Sequence, residues 1–344
     1  MSHVVQDFGM VDRAPPSQSE VLDALGLGPG IQIVEKPSSW VILTDRHAFK
    51  LLKQVDAKVP LSSPPEARQK WCAEEIWRNT RLAQGVYLGI VTLVRGRDGR
   101  LRMGGRGVEV EWIVKMRRLR ADHNLRSLIR HRQVCRSQVA VVARIMTAFY
   151  QAGTPQYDQV DELIARVQGR INETSKTLIS NLPARAGHAV RRLRDVQRAF
   201  LVSARTDLNV RVCDGRIVDG HGELLPEHIF LEREPSIIGA SAHSGVTPKL
   251  DAIDDLGLLA MECEYLGRED IAAEIMSTYR RATADESSTR LESFYMSLHA
   301  CKRAADRIAC ARRLHEEPSG RYVQETMSYL ERASTYAKRL EGNK

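Results

Sequence analysis

The chain is poor in the features that mark several large protein classes. Aromatic residues make up only 6% of its 344 residues and do not interleave with the basic ones. A base-stacking surface for single-stranded nucleic acid is therefore not expected. No run approaches the ~18 uninterrupted apolar residues of a membrane-spanning helix. The opening Met1-Ser2-His3-Val4-Val5-Gln6-Asp7 has neither a basic segment nor an apolar one behind it, so no secretory signal is expected. The six cysteines (Cys72, Cys135, Cys213, Cys263, Cys301, Cys310) lie far apart and form no C-x-x-C pair. That spacing speaks against a disulfide scaffold or a structural zinc site, and for reduced thiols in a cytoplasmic protein. No repeat of fixed period is evident.

Hydrophobic residues at 43% and charged residues at 27% describe an ordinary globular chain, long enough for two domains or one large bilobal one. The formal net charge of +8 comes mostly from arginine. Positive charge attracts phosphate. It is densest at Arg117, Arg118, Arg120, Arg126, Arg130, Arg132 and Arg136, a segment read as a solvated helix face, with a phosphate-facing stripe as the alternative.

Residues 1–18 read as a loose tail. Ser19 is a candidate cap for a short helix over 19–26, whose Val21, Leu22 and Leu25 recur at helical spacing. Short β runs follow at Ile31–Val34, Trp40–Leu43 and Ala48–Leu52. A helix is predicted over Pro65–Ala83. Two strands, Ile90–Val94 and Arg100–Met103, flank the turn Gly96-Arg97-Asp98-Gly99, and a last strand spans Val108–Met116. After Arg117 the pattern becomes helical: Leu125–Gln151, Gln159–Leu182, His188–Arg205, Leu250–Leu266, Ile271–Thr283, Leu291–Leu314 and Tyr322–Leu340, with a β-rich patch between 208 and 250. Phe294, Tyr295, Leu298, Cys301 and Ala305 form an apolar stripe, which is either core or a surface for a protein partner.

A β-rich lobe over 19–117, with one long helix, followed by a helical lobe over 118–344 predicts an α+β, bilobal, protein-kinase-like fold with a small N-lobe and a larger C-lobe. Four stretches extend that likeness to residues. Ser39–Leu43 with His47–Lys53 resembles the strand pair ending in a nucleotide-binding lysine. Trp71–Ile76, with Asn79, Arg81–Ala83 and Tyr87–Gly89, resembles the helix whose glutamate holds that lysine. Glu111–Arg118 resembles the strand entering the adenine hinge. Val218–Ile229 sits where a catalytic loop is expected, within a segment 218–255. On these residues the chain resembles the bacterial aminoglycoside-phosphotransferase-like kinases.

The resemblance implies that Lys50, with Lys53 as rival, contacts nucleotide phosphates and that Glu75 fixes it, with Lys115 and Met116 beside the nucleotide. It also implies that Asp251 and Asp255 cap and brace the catalytic loop. The loop itself departs from the family pattern His-Gly-Asp-Leu-His-x-x-Asn and reads His221-Gly222-Glu223-Leu224-Leu225-Pro226-Glu227-His228. His221 and Gly222 are kept. Glu223 replaces the acceptor-orienting aspartate, and His228 replaces the magnesium-binding asparagine. In the run Pro235–Ser241, Gly239 falls where the family carries a metal-binding aspartate.

Imidazole suits magnesium poorly, and glycine offers it nothing. A general base contributes ~10²–10⁴ in rate, so the joint change predicts weak or absent phosphotransfer. The expected protein is a pseudokinase that binds ATP or another nucleotide, a small hydroxylated molecule or a protein partner, with magnesium doubtful and neither nucleic acid nor membrane as partner. The alternative is an active ATP-dependent small-molecule kinase using Glu223 as base. Glu223, Glu227 and Asp219 could rebuild a metal site, or Glu223, His228 and His243 could form a repurposed one. No G-x-x-x-x-G-K-[ST] occurs, so the P-loop activity of some family relatives is not expected here.

Overall fold

A computed structural model describes residues 16–27, 30–36, 38–53, 65–153, 159–240, 249–315, 317 and 320–341. Most of the expected tail over 1–18, and His243, lie outside these residues. The chain divides into two compact units, one holding the sequence through His123 together with the segment from Glu232 to Thr247, the other holding the rest.

The first unit is built on a six-stranded antiparallel sheet of order β1-β2-β3-β6-β4-β5. Its strands are β1 (Gln32–Glu35), β2 (Ser39–Leu43), β3 (His47–Leu52), β4 (Tyr87–Arg95), β5 (Leu101–Met103) and β6 (Val108–Arg117). The short helix α1 (Gln18–Ala24) starts two residues earlier than Ser19 would allow. Ser17 is the cap, because its hydroxyl accepts from the Glu20 N–H while the Glu20 carboxylate accepts from the Ser17 N–H, a reciprocal box that Ser19 cannot form. Strand alternation gives the sheet two apolar faces. One packs Ile42, Phe49, Leu51, Leu93 and Ile113 under Val21 of α1 and Leu25 at its C-terminal cap. The other packs Ala48, Trp112, Val114 and Met116 with Cys72, Trp71 and Ile76 of α2 (Pro65–Thr80). The helix after the third strand begins where the sequence placed it and ends at Thr80, three residues before the expected Ala83, and its apolar side covers the second face.

The second unit is mostly helical: α3 (Leu125–Arg130), α4 (Arg136–Gln151), α5 (Val160–Asn181), α6 (Ala184–Ser203), α7 (Arg205–Cys213), α8 (Ala252–Tyr265), α9 (Glu269–Thr283), α10 (Thr289–Arg313) and α11 (Arg321–Glu341). Its strands are β7 (Ile217–Asp219), β8 (Ile229–Phe230) and β10 (Lys249–Asp251), while β9 (Ser236–Ile237) belongs to the first unit. The single helix expected over Leu125–Gln151 is broken into α3 and α4, with Arg132 in left-handed backbone between them (φ 56°). The β-rich reading from 208 also begins too early, because Leu208 and Arg211 are buried at the i, i+3 spacing of α7. Helix α10 runs along α11 and α8. The apolar stripe Phe294, Tyr295, Leu298, Cys301 and Ala305 is buried core, each residue 5% exposed or less, so it offers no surface to a partner.

The arginine-rich segment is mostly neutralised within each unit. In the first, Arg117 pairs with Glu232 and Arg120 with Asp122, while Arg118 donates to the Thr44 carbonyl. In the second, Arg126 pairs with Glu227 and Glu262, and Arg136 with Asp270. No helix among the described residues is long and apolar enough to cross a membrane.

Candidate functional site

Strand parity decides what the two candidate lysines do. Lys50 of β3 lies opposite Val41 and Val114, both on the α2 face, whereas the partners of Phe49 and Leu51 lie on the α1 face. Lys50 Nζ donates to both Glu75 oxygens at 2.8 and 2.9 Å. Glu75 reaches it from the middle of α2, its side chain only 4% exposed against 23% for Lys50. Lys53 has the opposite parity: it pairs with Glu35 and lies 5.5 Å from the Trp40 ring centroid. Among the two, Lys50 is thus the one Glu75 holds. Met116 is buried on the same face, opposite Ala48, while Lys115 lies opposite Phe49 on the α1 face. The structure places Lys50, Glu75 and Met116 on one side of the sheet and Lys115 on the other.

The segment carrying Gly239 is fastened to this helix. Asn79, fully buried one turn after Glu75, donates to the Glu75 carbonyl at 2.9 Å and accepts from the Ala240 N–H at 2.8 Å. The Ile237 N–H donates to the Leu82 carbonyl at 3.0 Å, and the Gly239 N–H to the Tyr87 hydroxyl. Gly239 itself has φ 80°, a backbone that favours a residue without Cβ. The backbone at this position is held on three sides, and no carboxylate projects from it. In the sequence Asn79 stands out only as part of a pattern. Its role as a link depends on a partner 161 residues away, which no local signal reveals.

In the second unit, β7 pairs with β10 and leads into the loop His221–His228. A Cβ at Gly220 would meet the end of the Leu250 side chain at 2.9 Å, so a larger residue there would require that side chain to shift. Asp255, buried in the first turn of α8, accepts from the His221 N–H at 2.6 Å, the Gly222 N–H at 3.0 Å and the Tyr150 hydroxyl at 2.9 Å. Burial pushes its carboxyl above the ordinary aspartate range even though these hydrogen bonds favour the charged form. The buried His221 ring accepts from the Glu223 N–H through Nδ1 at 3.3 Å, and His228 Nδ1 lies 2.9 Å from the Glu223 carbonyl oxygen. The loop therefore folds on itself through its two histidines, with the Glu223 side chain exposed.

Glu227 is not available to rebuild a metal site. Arg126 holds it at 3.0 Å and Arg303 lies 3.9 Å away. Burial opposes its charge, but these two guanidinium groups outweigh it and hold the carboxyl down to about 2. The second proposed set loses His243 to the undescribed stretch. Among the described residues no cluster of three His, Cys, Asp or Glu is placed to hold a metal ion.

Beneath the loop lies a frame of buried ion pairs. Asp251 caps α8 by accepting from the Ile253 N–H at 3.1 Å, and it also receives Arg211. Arg211 in turn donates to both oxygens of Asp285 at 2.8 and 2.9 Å. Asp254 receives Arg170 and His299, and Glu262 receives Arg126, Arg303 and the Tyr329 hydroxyl.

No family model matches the chain. Uncharacterised proteins of Mycobacterium bovis and Mycobacterium tuberculosis are 28% identical to it over 293 residues, covering 83% of this chain and 55% of theirs. The chain thus spans about half the length of the curated relatives it matches. Among solved structures it is similar to a choline/ethanolamine kinase family protein from Mesorhizobium loti, with 12% identity and TM-score 0.53 over 92% of this chain and 94% of that one. It is similar to a thermostable mutant of an aminoglycoside phosphotransferase, with 8% identity and TM-score 0.54 over 95% of this chain and all of the other. A glucosamine kinase in complex with glucosamine, ADP and inorganic phosphate gives 11% identity and TM-score 0.50 over 90% and 76%. The fold is α+β and protein-kinase-like, the fold of these small-molecule kinases.

Proposed function

We propose that this protein is a nucleotide-binding pseudokinase, retaining the phosphate-facing lysine of a small-molecule kinase while lacking the groups that hold magnesium. The observation that carries this reading is the two-bond pair between Lys50 and Glu75. That pair presents an ammonium group held at a fixed position, which is what positioning of nucleotide phosphates requires. The residues at the metal positions implied by the family do not fit the ion. Gly239 supplies no side-chain carboxylate, and His228 offers a nitrogen ring already tied to the Glu223 carbonyl. Magnesium demands octahedral oxygen ligation.

The exposed carboxylate of Glu223, on a loop braced by Asp255, favours a second reading as an active ATP-dependent kinase of a hydroxylated small molecule. Thermal shift and calorimetric titration with ADP and ATP, in EDTA and in magnesium, separate the two. The pseudokinase binds equally in both and releases no phosphate. Phosphate release from ATP that disappears in Glu223→Gln and in Lys50→Ala establishes the kinase.

A further inference from the structure

The Lys50 ammonium has a third neighbour besides the two Glu75 oxygens. The Trp71 ring lies beneath it, with Nζ 4.9 Å from the ring centroid. Trp71 and Glu75 stand four residues apart on α2, so one helix face delivers both groups to one lysine. An ammonium group has three N–H donors. Two are directed at the carboxylate, and indole is the aromatic face that attracts a cation best. The periodicity of α2 reads Trp71 as a packing residue, yet it is only partly buried and faces the most chemically active group of the unit.

The geometry points to Trp71 as a positioning residue that holds the Lys50 ammonium on Glu75 and covers part of it, so that an arriving phosphate competes with the ring for the exposed remainder. This inference rests on the nucleotide reading and adds the control of access to it. The π face that attracts the ammonium repels phosphate oxygens, because both carry negative charge density. With the ring in place Lys50 is satisfied without a ligand. With the ring displaced, its third N–H is open to a phosphate oxygen.

The test is competitive acetylation of the full chain with acetic anhydride, read lysine by lysine by peptide mass spectrometry. Lys70, whose side chain is 76% exposed on the same helix, is the internal reference. Relative to Lys70, Lys50 should react several-fold more slowly in the wild type. Trp71→Leu should raise the Lys50 rate about threefold to tenfold, the range a partly exposed cation–π contact sets. Trp71→Tyr should stay nearest the wild type and Trp71→Phe should fall between. Side-chain volume falls in the same order, so the electrostatic share is read from fluorinated tryptophans at position 71, which weaken the negative ring face at nearly constant size and should raise the Lys50 rate stepwise, whereas a flat series would overturn the contact with the π face. In the same series ADP affinity should rise about threefold to tenfold in Trp71→Leu. An equal Lys50 rate in wild type and Trp71→Leu overturns the shielding. Unchanged ADP affinity in Trp71→Leu, with ADP protecting Lys50 in both, overturns the competition while the nucleotide reading stands. Failure of ADP to bind any form overturns the nucleotide reading and the competition together, while the labelling series still decides the shielding.

Discussion

Two ion-paired groups, one in each unit, hold charge in contrasting ways. In the β-rich unit a single lysine meets a single glutamate, and the lysine side chain keeps 23% of its surface exposed. In the helical unit Arg211 meets two aspartates, with its side chain 7% exposed and theirs 0% and 1%. The first arrangement leaves a cation within reach of a ligand. The second is closed, with guanidinium donors and carboxylate acceptors satisfied internally, so its work is to fix α7, α8 and the loop that α8 carries. Charged groups of similar appearance in the sequence thus divide into one poised for binding and one that holds the fold.

Removing the closed group should have the largest consequence. Arg211→Met leaves Asp251 and Asp285 buried without their partner and should cost about 3–5 kcal/mol, read by urea denaturation. Asp255→Ala should follow at about 3 kcal/mol, since it strands the His221 and Gly222 N–H groups and the Tyr150 hydroxyl. Lys50→Met strands the buried Glu75 carboxylate and should cost about 2–3 kcal/mol, below Arg211→Met because one carboxylate loses its partner rather than two, while weakening ADP binding at least about tenfold. If Lys50→Met proves as destabilising as Arg211→Met, the contrast between an open and a closed pair is wrong.

Acid distinguishes the helical unit further. Glu227 titrates at about 2 in the folded protein against 4.5 ordinarily, so its ion pairing contributes fully above pH 4.5 and is lost as the pH falls toward 2. Wild-type stability should decline across that window, and Glu227→Gln should flatten its part of the decline. The smallest expected effect lies at the edge of the β-rich unit, where Ser17→Ala removes one cap of α1 and should cost about 1 kcal/mol.

Local pattern made much of the fold legible. Strand alternation gave the β runs that became β1 to β6, and α2 came from its helical spacing. Where the sequence misled, local chemistry pointed the wrong way. The α3–α4 break carries neither Gly nor Pro but turns at Arg132, and the Leu208, Val210, Val212 alternation of α7 looks like a strand. At the candidate site, the pairing of Lys50 with Glu75 follows order along the chain, and the odd spacing from Lys50 puts Lys53 at the opposite parity, though only the packing of α2 says which face holds the glutamate. The buried arginines were not readable. Arg211 finds Asp251 and Asp285 at 40 and 74 residues' separation, and Arg126 finds Glu262 at 136, so each looks like surface charge in the sequence. Glu227 looked like a spare carboxylate for the same reason.

Calorimetric titration of ADP into the full chain, once in EDTA and once in excess magnesium, tests the central claim most directly. The account predicts binding in both, with dissociation constants equal within about threefold and loss of binding in Lys50→Met. Binding that requires magnesium, or transfer of the ATP terminal phosphate to any acceptor, would contradict it.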